Sequence, residues 1–256
     1  MVYENLILEK KNHICILTLN HPPVNAWNRA MMEEFGKTIV EIENDGGIRA
    51  VILTGGDRQC FSAGFDVNDT LHSQKTNDKG RELWTKIDRF TKPVIAAING
   101  YAMGGGLELV MCCHFRIMVD DPKATMGLTE LNLGTIPSWG GTQRLVRIVG
   151  KAKALDMILF SKRINARQAL EIGLIHQISN KEQLMGDAMA YAEILADRPP
   201  IALGCVLNAI SALEYEGLEA GLKVEEESAA IVRKSKDRVE GFTAFLEKRT
   251  PIFRGE

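Results

Sequence analysis

Short apolar runs alternate with longer segments in which apolar residues return every three or four positions, and this pattern predicts a mixed α/β protein. Residues 5–10 and 13–19 are β-rich runs broken by Lys11 and Asn12, which predicts an antiparallel hairpin. Over residues 28–44 the period changes: Met31, Met32, Phe35, Ile39 and Ile42 fall on one helical face, and Gly46-Gly47 closes the helix. Residues 49–54 predict a buried strand. The polar stretch 69–80, rich in Asn, Asp, Lys and Ser, reads as a mobile loop before a helix over 81–90. A strand over 94–98, a glycine cluster opening a helix, and a strand over 115–119 follow. Beyond Gly141 helical patterns dominate, at 142–149, 152–160 and 166–171 and then near the C-terminus. Pro199-Pro200 predicts a boundary between a core, 1–198, and a helical region, 199–256, with amphipathic faces suited to packing on the core or on another subunit.

The chain has 256 residues, 45% hydrophobic and 25% charged, enough for a sizeable core. A net charge of -2 gives no overall positive field toward nucleic acid or anionic membrane, so an anionic ligand must be held locally. Cys15, Cys60, Cys112, Cys113 and Cys205 are odd in number and lack C-x-x-C spacing, which fits a reducing cytoplasm better than a disulfide framework or a zinc site. The five histidines show no metal spacing, and His114 beside Cys112 and Cys113 reads as a residue of a helix–strand junction. The first ten residues lack an export signal and no apolar run approaches a membrane span, so neither export nor membrane insertion is expected.

The candidate chemistry begins where the strand over 94–98 runs into Gly104-Gly105-Gly106 and then Leu107-Glu108. Consecutive glycines sacrifice backbone entropy and suit a close approach of backbone to ligand. A helix N-terminus adds unpaired N–H groups, which makes the Gly105 N–H an oxyanion donor. A tight strand-to-helix turn explains the same glycines equally well. The spacing does not fit the G-x-G-x-x-G of a dinucleotide fold. Glu108 stands in the first turn before Leu109, Val110, Met111, Cys112 and Cys113. A carboxylate there either complements the helix dipole or, in a buried helix, faces a cavity. Glu130 lies among small and apolar residues ahead of a Gly- and Pro-containing loop. If the fold brings Glu108 and Glu130 together, burial and repulsion keep one protonated and leave the other ionised, a state suited to acid–base chemistry. Ala63-Gly64-Phe65-Asp66 is either a surface turn or the source of a second backbone donor, the Phe65 N–H.

Ser62 to Asp66, Lys92 to Glu108 and Glu130 to Arg144 together resemble the crotonase, or enoyl-CoA hydratase/isomerase, superfamily, with A-G-x-D, G-G-G-x-E-L and E-x-x-L-G-x-x-P-x-x-G-G-T-Q-R-L in the family's order. The resemblance implies an α/β superhelix of repeated ββα units, with C-terminal helices that make homotrimers, commonly paired as dimers of trimers (hexamers). It implies an acyl-CoA substrate, with coenzyme A entering only as part of it, and no permanently bound cofactor. Phe65 and Gly105 would form the oxyanion hole, and Glu108 and Glu130 would hold the water of an enoyl-CoA hydratase. Ala63, Phe65, Asp66, Val67 and Asn68 would border coenzyme A, and Lys248 would sit by its phosphates. Asn68 replaces a lysine of some hydratases, Leu128 replaces a polar residue of some relatives, and Trp139 occupies a position where most carry a small residue. With Phe65 and Trp84, Leu128 and Trp139 imply a shaped acyl pocket suited to a short or cyclic enoyl group. The alternatives within the family are isomerisation or hydrolysis. A non-enzymatic alternative is an RNA-associating protein of the same fold, which the net charge does not favour.

Overall fold

The computed structural model describes residues 3–256. Strands β1 (Leu6–Lys11) and β2 (Ile14–Leu19) form the expected hairpin, in register from Leu6 opposite Leu19 to Lys11 opposite Ile14. After the short strand β3 (Ala26–Trp27), helix α1 (Arg29–Asn44) starts at Asn28, whose side chain accepts from the Met31 N–H. The five periodic residues from Met31 to Ile42 are its buried face. Strand β4 (Ala50–Thr54) is buried along its whole length, as its continuous apolar run requires.

From β4 onward the chain winds in repeating turns, each adding a strand to a long sheet, a strand to a shorter sheet, and then a helical segment. The first turn is β4, β5 (Cys60–Ser62), β6 (Gly64–Phe65) and α2 (Ser73–Asp88). The second is β7 (Val94–Ile98), β8 (Tyr101–Met103) and α3 (Gly105–Cys112). The third is β9 (Phe115–Val119), β10 (Thr125–Gly127), a 3-10 turn (Glu130–Leu133) and α4 (Gly141–Val149). Then come α5 (Lys151–Leu159), β11 (Ile164–Asn165), α6 (Ala166–Glu171), β12 (Gln177–Ser179) and α7 (Leu184–Ala196). The long sheet runs β1-β2-β4-β7-β9-β12 and the shorter one β11-β10-β8-β5, while β3 pairs with β6. From β2 to β12 neighbours in the long sheet are parallel, and α7 packs on β4, β7 and β9. After Pro199, α8 (Pro200–Glu216) and α9 (Leu218–Val232) pack on each other, and α10 (Lys236–Glu247) follows. No helix among the described residues is long and apolar enough to cross a membrane.

The largest departure from expectation lies ahead of Trp84. Residues 69–80 are not a mobile loop: α2 begins at Ser73, eight residues before the predicted start at 81, and its buried face is Thr76, Gly80, Leu83, Trp84 and Ile87. That face has helical spacing, but its first two members are a hydroxyl and a glycine, so a hydrophobic pattern does not reveal it. The short strands β3, β5, β6, β8, β10, β11 and β12, each of two or three residues, are also absent from the expected elements.

Candidate active site

All eight residues of α3 are buried, so its N-terminus meets protein rather than solvent. Gly104 caps the helix with φ +50°, and Gly105 is its first residue, whose N–H has no acceptor within the helix. The Gly105 carbonyl, of the next peptide, accepts from Trp84 Nε1 at 3.0 Å, which holds the first turn of α3 from behind. Gly64, at φ +90°, lies directly against it. A Cβ on Gly64 would stand 2.7 Å from the Met103 carbonyl and 2.9 Å from the Gly105 nitrogen, so a side chain there would cover the donor. The Asp66 N–H donates to the Trp27 carbonyl at 3.0 Å. Successive strand N–H groups point to opposite sides, so the Phe65 N–H turns away from β3. The Ala63 N–H bonds Val24 at 3.0 Å, and Asp66 Oδ1 accepts from both the backbone and side chain of Asn68, a closed turn that leaves Val67 and Asn68 exposed.

Glu108 is 2% exposed. Its Oε1 accepts from the Trp139 N–H at 2.9 Å and the Gly141 N–H at 2.7 Å, two donors of the loop that opens α4. Gly141 has no room for a side chain, because a Cβ would stand 2.8 Å from the same oxygen. Burial raises the Glu108 pKa to about 7; the Gly141 and Trp139 donors and Arg144 oppose that rise, and the Glu130 carboxylate adds to it.

Glu130 begins the 3-10 turn after β10 and reaches over the cap of α3, where a Cβ on Gly104 would stand 3.0 Å from its Oε1. Its Oε2 is buried with no hydrogen-bond partner among the described residues, and burial raises its pKa. The fold therefore brings Glu108, Glu130 and Gly105 to one helix N-terminus with Gly64-Phe65 alongside. Such a constellation can hold a polar molecule between two carboxyl groups whose pKa values are both raised, beside backbone donors suited to an anionic oxygen.

The expected acyl-pocket residues occupy the core. Trp84 and Leu128 are fully buried and Trp139 is 2% exposed. Trp84 stacks edge-on against Trp27 at 4.8 Å and Trp139 at 5.2 Å, and Phe65 meets Trp139 at 6.4 Å. Trp84 is thus a support behind Gly105, because its ring is consumed by the aromatic cluster and its N–H by the Gly105 carbonyl. Trp139 is wedged between α2 and α3. A Cβ on Gly80 or on Gly105 would lie 2.7 Å or 2.2 Å from its indole, and its Nε1 donates to Asn77 Oδ1 at 2.9 Å. Lys248 caps α10 in a left-handed conformation, exposed and, among the described residues, without an ion pair or side-chain hydrogen bond. His114, as expected, is a junction residue: its Nδ1 accepts from the Val94 N–H, and burial lowers its pKa to about 4.

The sequence pointed to the glutamates and glycines but not to their supports. The backbone donors of Trp139 and Gly141 lie within the P-x-x-G-G stretch, whose glycines were the available signal. Asn77 carries no local signal, because only tertiary structure brings it to Trp139, 62 residues away.

Residues 9–256 match the model of the Enoyl-CoA hydratase/isomerase family. A probable enoyl-CoA hydratase of Bacillus subtilis is 40% identical, over 95% of this chain and 96% of that protein. The 2,3-dehydroadipyl-CoA hydratase of Escherichia coli is 36% identical, over 98% of each. The crystal structure of an enoyl-CoA hydratase from Bacillus anthracis superposes with a TM-score of 0.93 at 36% identity, covering 99% of this chain and 100% of that one.

Proposed function

The chain belongs to the enoyl-CoA hydratase/isomerase family, and from that premise we propose that it is an enoyl-CoA hydratase working through Glu108 and Glu130. The observation that carries this reading is the pairing itself: a buried and a half-buried carboxyl group, both with raised pKa values, at the N-terminus of α3 beside the Gly105 N–H.

The thioester carbonyl oxygen accepts from the Phe65 and Gly105 N–H groups. Water held between the glutamates bonds through its oxygen to the β-carbon and gives its proton to one carboxylate. The other carboxyl delivers a proton to the α-carbon, and the charge crossing the thioester as enolate is met by the two backbone donors. Glu108, raised to about 7, can take up and release a proton near neutral pH, as an acid–base group must. The substrate is an enoyl-CoA thioester. Ala63, Asp66, Val67 and Asn68 border its coenzyme A moiety, in keeping with their position beside Phe65, and Lys248 is assigned to its phosphates on family resemblance alone. Coenzyme A arrives and leaves with the acyl group.

The exposed apolar residues Val206, Ile210, Leu222, Phe245 and Leu246 of the region after Pro199 support self-association, proposed as a homotrimer or a dimer of trimers. The solution mass is then a threefold or sixfold multiple of 28.4 kDa.

Incubation with crotonyl-CoA tests the function. Loss of the conjugated thioester absorbance with gain of the mass of one water supports hydration. A product of unchanged mass with a moved double bond, or free coenzyme A, replaces the reading with isomerisation or hydrolysis.

A further inference from the structure

The Trp139 segment that serves Glu108 is gripped from its other side. While the Trp139 N–H donates to Glu108 Oε1, the Trp139 carbonyl accepts from Arg144 Nη1 at 2.7 Å. Gly140, at φ +102°, lies flat on that guanidinium; a Cβ there would stand 2.0 Å from Nη1. Arg144 is 5% exposed, and its Nε donates to Asp88 Oδ2 at 2.8 Å. The Tyr215 hydroxyl of α8 donates to the same Asp88 oxygen at 2.5 Å and accepts from Arg144 Nη2 at 3.3 Å. A series of hydrogen bonds therefore runs from α8, through Asp88 of α2 and Arg144 of α4, to Trp139, whose own N–H holds Glu108.

We propose that Arg144, held by Asp88 and Tyr215, is a positioning residue for hydration: it fixes the 137–141 loop so that Trp139 and Gly141 both reach Glu108, and it makes docking of α8 a condition of active-site assembly. The inference rests on the hydratase reading for its kinetic consequence only. A guanidinium suits this role because its planar fork donates to a carbonyl and a carboxylate in fixed directions at once, which an ammonium on a flexible stem does not. The charged and titratable groups facing Glu108 are Glu130 from the 3-10 turn, Arg144 from α4 and Cys112 from its own helix. Behind Arg144 stand Asp88 of α2, Arg147 of α4, and Glu214 and Tyr215 of α8. Arg144 holds the Glu108 pKa down, so its removal raises it.

The test combines crotonyl-CoA kinetics with carbon-13 NMR titration of glutamate side chains, the Glu108 signal being assigned by its loss in Glu108→Gln. Arg144→Met is expected to lower kcat roughly 10–100-fold with little change in KM, because displacement from the productive geometry acts on the reaction more than on binding. The Glu108 titration moves upward from about 7. Arg144→Lys keeps the charge without the fork and leaves kcat low. Tyr215→Phe, which loses only a hydroxyl, is expected to lower kcat about 2–5-fold, the effect of a single modest hydrogen bond, with a smaller upward shift. Full kcat in Arg144→Lys overturns positioning in favour of simple charge. Should Arg144→Met not fold, unchanged kcat and titration in Tyr215→Phe overturn the link to α8. If the wild-type chain hydrates no enoyl-CoA, the functional reading falls, while the NMR titration still decides whether Arg144 and Tyr215 govern Glu108.

Discussion

Glu108 and Glu130 meet at the N-terminus of α3 in opposite states of satisfaction: Glu108 Oε1 accepts two backbone N–H bonds, whereas Glu130 Oε2 is buried with no partner among the described residues. A buried oxygen without a donor is costly to keep unless a ligand supplies the bond. The pair is thus suited to hold a small polar molecule, which for the proposed hydratase is the attacking water.

Replacing either glutamate tests that role. Glu108→Gln and Glu130→Gln are each expected to lower hydration roughly 10²–10⁴-fold, the usual range for a lost acid or base. Both variants should retain the fold, since glutamine has nearly the same shape. Near-normal kcat in either one removes that residue from the chemistry.

Stability should depend on pH through Glu108. Its carboxyl is raised from 4.5 to about 7 in the folded protein, so between those values the folded state binds more protons than the unfolded state, and stability falls as pH rises. The loss is about 3 kcal/mol, complete once pH exceeds the folded value. Glu108→Gln removes the ionisation, so it should melt above the wild type at pH 8 and close to it at pH 5. Parallel wild-type and variant melting curves across that range would contradict burial as the cause.

Gly64 should not tolerate a side chain. Gly64→Ala puts a methyl 2.9 Å from the Gly105 nitrogen at a backbone angle that favours glycine. Loss of one oxyanion donor is expected to reduce kcat roughly 10²–10³-fold. Circular dichroism of the variant, read beside its kcat, separates a covered donor from a collapsed fold.

Gly80 gives a test by sign. Alanine at an unconstrained helical glycine stabilises by roughly 0.4–1 kcal/mol, but a Cβ at Gly80 meets the Trp139 indole at 2.7 Å. Gly80→Ala should instead lose about 1–3 kcal/mol by overpacking, with a fall in kcat as Trp139 shifts. A raised melting temperature with full activity would show that the indole yields freely.

Much of this arrangement was legible in the residues. The hairpin, α1, and the strands β4, β7 and β9 follow from period and apolar runs alone, and Glu108 stood out as the one carboxylate of an apolar helix. The start of α2 did not, because Thr76 and Gly80 fill its buried face where apolar side chains would advertise it. Trp84 and Trp139 were visible as large residues near the site, but whether an aromatic ring lines a pocket or braces the backbone behind it is decided by three-dimensional packing. Arg144 was present in the motif without a role, since its partners Asp88 and Tyr215 lie 56 and 71 residues away in sequence.

A panel of linear and cyclic enoyl-CoA thioesters, from crotonyl-CoA to cyclohexene- and cyclohexadiene-carbonyl-CoA, should be incubated with wild-type protein and with Glu108→Gln and Glu130→Gln, and the products weighed by mass spectrometry. Hydration predicts a product heavier by one water for at least one thioester with wild type, and its loss in both variants. Binding of the thioesters with no water added to any of them would contradict the assignment.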